Sequence, residues 1–178
     1  MKKILDNGLG KEELQEYALR NFREAADEIR YAGRSDDIIA KHLSTTWALK
    51  HALASRNYHY LYTAPITGGK PVEGSIPREV NNLVSDAANL FYLVHIEKKI
   101  YNGRSIDESV LEAFYDVDDI VKKLQKGAYM PQKVIVDDSS TSWIPDRTII
   151  IMPAFKRFEN SPRELLKKKQ EDVVSRWA

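Results

Sequence analysis

The chain has 178 residues, 43% of them hydrophobic and 30% charged, which suffices for one buried core and is too little for two comfortable ones. Lysine and arginine (27) almost balance aspartate and glutamate (26), so a formal charge of +1 gives no chain-wide attraction to nucleic acid or to an anionic membrane. The absence of cysteine excludes disulfides, thiolate metal sites and cysteine nucleophiles, and the fold must rest on packing alone.

The first residues, MKKILDNGLG, carry two lysines but not the apolar run of a signal peptide. No stretch approaches the ~18 apolar residues of a membrane span, so the expectation is a soluble protein made and used in a cytoplasm, without a membrane partner. After Gly10, residues Leu14, Tyr17, Ala18, Phe22, Ala25, Ala26 and Ile29 recur at spacings of three and four, which predicts an amphipathic helix. Gly33 stands where a left-handed C-cap would end it. Ser35 is placed to cap a second helix, with Asp36 and Asp37 suiting its positive N-terminal end. The predicted apolar face of that helix is Ile38, Ile39, Leu43, Trp47, Leu49 and Leu53. It finishes in NYHYLYTAPI, with Tyr58, Tyr60 and Tyr62 on alternate positions; packing against the third helix, with the hydroxyls toward solvent or a neighbour, is favoured over a ligand cage.

Residues 63–77 contain three prolines and three glycines, a loop composition. Pro77 suits the first turn of a third helix whose Val80, Leu83, Val84, Ala87, Ala88, Phe91, Leu93, Val94 and Ile100 cover more than one face. That predicts the central helix of a bundle. Gly103 ends it, and SIDE, from Ser105 to Glu108, is a capping box that fixes the start of helix four. Val110, Phe114, Val117, Ile120, Val121 and Leu124 form its seam. Beyond Pro131, KVIVDD and RTIIIM are short β-branched runs that predict a hairpin or two short strands. SPRE, from Ser161 to Glu164, is a second capping box ahead of a terminal helix with few apolar residues. The expected fold is therefore mainly α: a four-helix core over 1–131, then an extension over 132–178 of short strands and a basic helix.

Chemistry finds little purchase. His42, His51, His59 and His95 make no HExxH pair, and TGGKP around Gly69 lacks the preceding strand and the spacing of a phosphate loop. The adjacent pairs Asp36/Asp37, Asp118/Asp119 and Asp137/Asp138 point in different directions rather than converging on a pocket. Neither RSDDIIAKH nor RNYH has the arginine-to-histidine spacing of a HEPN-type helical ribonuclease. No catalytic residue, cofactor or metal is expected, and the chain reads as a non-enzyme.

Local charge is more informative. Helix four gathers Asp107, Glu108, Glu112, Asp116, Asp118 and Asp119 against Lys122 and Lys123, whereas the tail carries Lys156, Arg157, Arg163, Lys167, Lys168, Lys169 and Arg176. Such faces are either solvated helix surfaces or complementary contacts between subunits. A terminal helix that can bury little on its own chain suggests a partner elsewhere.

The order of WALKHALASRNYHYLYTAPI, IPREVNNLVSDAANLFYLVHI, YDVDDIVKKLQKGAYMP and a late MPAFKRFE resembles the Mu-like phage neck proteins, the adaptors or head-tail connectors beneath the portal of tailed phages. The resemblance covers Asp36 to Pro131. It implies a structural subunit of the virion neck, assembled in the host cytoplasm as a homo-oligomeric ring that follows a twelvefold portal. The ring would join the portal protein to a tail or stopper protein and pass double-stranded DNA through its lumen without reading sequence. The implied portal-binding residues are Phe155, Lys156, Arg157, Phe158, Arg163, Lys167, Lys168, Lys169, Arg176 and Trp177; the implied subunit seam includes Tyr58, Tyr60, Tyr62, Asp116, Asp118 and Asp119. A different class of function, nucleic-acid binding or regulation by the basic terminal helix, is the alternative.

Overall fold

The computed structural model describes residues 4–5, 11–63, 77–123, 134–135 and 163–178, with backbone alone at 4, 5, 11, 60–63, 134 and 135. These residues form a mainly helical bundle: β1 (Ile4–Leu5), α1 (Lys11–Arg34), α2 (Ile38–Thr63), α3 (Arg78–Tyr101), α4 (Ile106–Lys123), β2 (Val134–Ile135) and α5 (Arg163–Ser175). The hairpin expected between residues 133–138 and 147–152 is not seen. Residues 147–152 lie outside the described residues, and Val134–Ile135 pairs antiparallel with Ile4–Leu5 instead.

α1 and α2 form an antiparallel pair. Ser55 Oγ donates to Ala18 O at 2.7 Å, His51 Nδ1 lies 2.9 Å from Asn21 Oδ1, and Tyr58 stacks on Tyr17 with ring centroids 5.4 Å apart. Small residues make this contact possible: Ala48, Ala52 and Ser55 of α2 and Ala18, Ala25 and Ala32 of α1 are all buried, and short side chains let helix axes approach closely. Leu49 and Leu53 belong to the core that α2 shares with α3.

α3 is the central helix, as its apolar residues on several faces predict, and it meets every other helix. Its buried residues include Phe91, Tyr92, Leu93 and Val94 in succession, leaving no side of that turn to solvent. Pro77 is the N-cap rather than the first helical residue, its carbonyl accepting from Val80 N and Asn81 N. At the other end Gly103 has φ +94°, a conformation that only glycine adopts without strain. Gly103 N donates to Ile100 O and Arg104 N to Lys99 O, a Schellman closure. The predicted capping box follows. Glu108 N donates to Ser105 Oγ at 3.2 Å and Ser105 N to Glu108 Oε2 at 3.4 Å, so α4 starts where the sequence places it.

Two expectations at the α1–α2 turn are corrected. Gly33 is no left-handed cap, because α1 runs through it to Arg34. Asp37 rather than Ser35 caps α2, its Oδ1 accepting from Ile39 N at 3.0 Å.

Gly33 serves a different purpose: a Cβ there would overlap Val174 Cγ1 and sit 3.1 and 3.2 Å from Val174 Cγ2 and Cβ. Turning the valine about χ1 cannot clear all three atoms, so α5 itself would have to move. On an exposed helix, glycine to alanine gains about 1 kcal/mol. Here Gly33→Ala is expected to lose about 1–2 kcal/mol by overpacking. Val174→Ala in the same chain should recover most of that loss, and urea titrations of the two single variants and the double variant measure the coupling.

Candidate interaction surface

α5, expected to find its partner on another chain, lies on its own bundle. Leu166 and Val173 are part of the common core, and Val174 packs on Gly33. Just beyond the helix, the Trp177 ring meets Phe22 edge to face at 5.8 Å and its Nε1 donates to Asp86 Oδ2 at 2.8 Å. Arg176 grips the same carboxylate with two hydrogen bonds of 2.7 and 3.1 Å, and Arg30 Nε donates to Trp177 O at 2.6 Å. Two of the implied portal contacts, Arg176 and Trp177, are thus committed to intrachain bonds. The physical reason is that Leu166 and Val173 are buried in the core and Val174 fits against Gly33, while Asp86 receives the polar groups of Arg176 and Trp177.

Under α5 lies a cleft of about 230 Å³ lined by Gly33, Asp36, Lys41, Leu90, Gln170 and Val174. Two of its polar groups meet each other and Glu97: Lys41 Nζ reaches Glu97 Oε2 and Gln170 Oε1 at 3.3 Å each, and Gln170 Nε2 donates to Glu97 Oε2 at 2.8 Å. Arg163, Lys167 and Lys168 are exposed on α5 and Lys169 is partly so, but Glu164, Glu171 and Asp172 are exposed beside them. Phe155, Lys156, Arg157 and Phe158 lie outside the described residues.

The acidic helix is similarly occupied. Asp118 pairs with Lys122 at 2.7 Å and Asp119 with Lys123 at 2.6 Å, each one helical turn away. Asp116 joins a chain of contacts that ties three helices together. His42 Nε2 of α2 lies 3.1 Å from His95 Nδ1 of α3, His95 Nε2 lies 3.3 Å from Asp116 Oδ2 of α4, and Lys99 bridges Asp116 and Glu112 at 3.0 and 3.2 Å. Both imidazoles pack on Phe91, at 5.4 and 5.7 Å. Burial, with Lys98 and His95 adding repulsion, pushes the His42 pKa down to about 4. Burial also lowers that of His95, against the opposing pull of Asp116. Burial works against the charge of Asp116, yet hydrogen bonds from Lys99 and His95 outweigh it and hold the carboxyl below its ordinary range. Among the described residues no group of three or more histidine, aspartate or glutamate side chains could hold a metal ion.

Of the tyrosines, Tyr58 is half buried against Tyr17 of α1 rather than against helix three, and the Tyr60 and Tyr62 side chains lie outside the described residues. The seam residues whose side chains are described, Tyr58, Asp116, Asp118 and Asp119, each have a partner within the chain.

What does stand exposed is a stripe assigned to the core on sequence. Ile39 is 69% exposed, Leu43 57% and Trp47 38%, at spacings of four along the outer side of α2. Lys50 Nζ lies 4.9 Å from the centre of the Trp47 ring, and His51 stacks on the same indole at 5.7 Å. Single exposed hydrophobic residues are ordinary, but three large ones aligned over two turns mark a contact surface. The sequence signal that could have found it is that the apolar residues of α2 fall on more than one side of the helix, more than a single core-facing stripe accounts for.

Comparison with protein-family models, curated proteins and solved structures finds no match to this chain. Among the described residues, no helix is long and apolar enough to cross a membrane.

Proposed function

We propose that this protein works by assembly, as a structural subunit of a tailed-phage neck: an adaptor that repeats in a ring, joins the portal protein to a tail or stopper protein, and continues the DNA channel. The observation that carries this reading is the exposed Ile39, Leu43 and Trp47 stripe on a bundle otherwise well packed. It is supported by the sequence order that resembles the neck adaptors. A ring engages the portal through many copies at once, so one short apolar stripe per copy is enough for stable attachment. In this reading residues 132–162, with their two β-branched runs and the Phe155 to Phe158 segment, supply the portal contact that α5 does not. The exposed ridge of Arg163, Lys167 and Lys168 remains available beside it.

The nucleic-acid reading is weaker on the same geometry. α5 alternates basic and acidic residues on its exposed side, and Arg176 is tied to Asp86, so no continuous basic track faces a phosphate backbone.

Mixing the purified protein with portal rings from the same phage genome should yield, in negative-stain images, a second ring stacked on the portal. Trp47→Ala with Leu43→Ala should lower the bound fraction by tenfold or more, about 1.4 kcal/mol or above. Failure of the unaltered protein to bind portal overturns the reading.

A further inference from the structure

We infer that Asp116, His95 and His42 form a one-way proton relay that latches α2 to α3: it takes up one proton without losing a contact and gives up the contact between the two imidazoles on the second. This concerns the junction of the helices and stands apart from the neck reading.

Asp116 sets the direction. A carboxylate only accepts, so the hydrogen between Asp116 Oδ2 and His95 Nε2, 3.3 Å apart, sits on the imidazole. Lys99 Nζ, 3.0 Å from the same oxygen, helps to keep the carboxyl charged and therefore an acceptor. A neutral imidazole carries one N–H, which leaves His95 Nδ1 bare. The hydrogen in its 3.1 Å contact with His42 Nε2 must then belong to His42, whose own Nδ1 is left bare in turn. Both rings thus hold the Nε2–H tautomer, His95 through the carboxylate and His42 through His95.

The proton balance follows from that order. The lone pair not already used within the chain of contacts is that of His42 Nδ1, so an added proton enters there. His42 Nε2 can then pass its hydrogen to His95 Nδ1. The positive charge comes to rest on His95 beside Asp116, and His42 Nε2 becomes the acceptor in the same contact. No bond of the chain is lost. A second proton goes to His42 Nε2 and puts hydrogens on both facing nitrogens, so neither accepts and two positive rings stand together. The surrounding charges weigh the same way. Lys98 of α3 opposes a charge on either ring, Lys99 opposes one on His95, and Asp116 of α4 favours one on His95. Lys41 of α2 is bonded to Glu97, and Glu112 of α4 to Lys99. The ring that comes loose is therefore His42, which leaves Phe91 and His95, while α3 and α4 stay joined through His95 and Asp116.

Nitrogen NMR of the isotope-labelled imidazoles in the full chain reads the relay directly, because a ring nitrogen with hydrogen and one without resonate far apart. At neutral pH His42 and His95 should both show the Nε2–H tautomer. On acidification the pair should titrate in two steps at least about one pH unit apart. The first step should charge His95 and move the His42 hydrogen from Nε2 to Nδ1, with the ring protons of the two residues still in contact; the second should end that contact. His51, which shares α2 but meets Asn21 and Glu24, should titrate in one step. Asp116→Ala should abolish the Nε2–H preference of His95, whereas Glu112→Gln, which alters the other acidic partner of Lys99, should leave both tautomers unchanged. His42→Gln should reduce the two steps to one.

An Nδ1–H tautomer on either ring at neutral pH, a first step that leaves the His42 hydrogen on Nε2, loss of the ring contact already at that step, or unchanged tautomers in Asp116→Ala overturns the relay. The spectra of the unaltered protein decide the matter even where Asp116→Ala fails to fold.

Discussion

Replacing Asp86 with alanine is expected to release α5 from the bundle. The carboxylate is 14% exposed and receives three hydrogen bonds, two from Arg176 and one from Trp177, so its removal strips both residues of their anchor at once. Hydrogen bonds to a charged group contribute about 1.5–3 kcal/mol each. Arg176 is about half exposed, and solvent screening reduces its share, which leaves about 2–3 kcal/mol for the set. That is a large part of the stability of an ordinary domain. The loss should be local first. Amide exchange and tryptic cleavage should accelerate at Arg163 and Lys167 to Lys169 before the α1 to α4 core opens, because α5 rests on few buried residues. Asp86→Asn keeps an oxygen for one donor and should fall between the two. If α5 in Asp86→Ala is as protected as in the unaltered protein, the clamp is not what holds it.

Acidification should destabilise the bundle between about pH 6.5 and 4, ahead of any carboxylate effect. His42 is neutral in the fold, its pKa lowered to about 4 by burial first and then by Lys98 and His95. In the unfolded chain it titrates near 6.5, so within this window the unfolded state binds the extra proton and stability falls as pH falls. A shift of that size is worth about 3 kcal/mol as an upper figure, and the half-buried position of the ring brings the expectation to about 2 kcal/mol. His95 and His59, both lowered by burial, add in the same direction. Asp116 titrates below its ordinary range, so its contribution is lost only at still lower pH. Urea titrations at pH 7, 5.5 and 4.5 should show the decline, and His42→Gln should remove the largest part of it. An unchanged decline in His42→Gln would place the proton uptake elsewhere. The structural consequence is that α2, α3 and α4 are held together by two uncharged imidazoles over Phe91, a contact that two positive rings beside Lys98 and Lys99 could not keep.

Where the signal was local the sequence by itself carried most elements, the caps at Gly33 and Ser35 excepted. The capping box from Ser105 to Glu108, the glycine closure at Gly103, the amphipathic face of α1 and the multi-sided burial of α3 all depend on residues within a few positions of one another. Their periods and caps name them without knowledge of the fold. Directions were a different matter. On α2 the large residues Ile39, Leu43 and Trp47 looked like the core, yet the core side is made of Thr45, Ala48, Leu49, Ala52 and Leu53, small residues among them that let α1 come close. Periodicity weights size; packing weighs the distance between helix axes, which no single helix contains. Gly33 likewise reads as a stop signal locally, and only the arrival of Val174 from 141 residues later makes it a contact surface. The same is true of α5: its charges suggested another chain, but Asp86 and Phe22, far away in sequence, receive Arg176 and Trp177. Tertiary structure decided which faces were satisfied within the chain, and by subtraction left Ile39, Leu43 and Trp47 exposed on the outer side of α2.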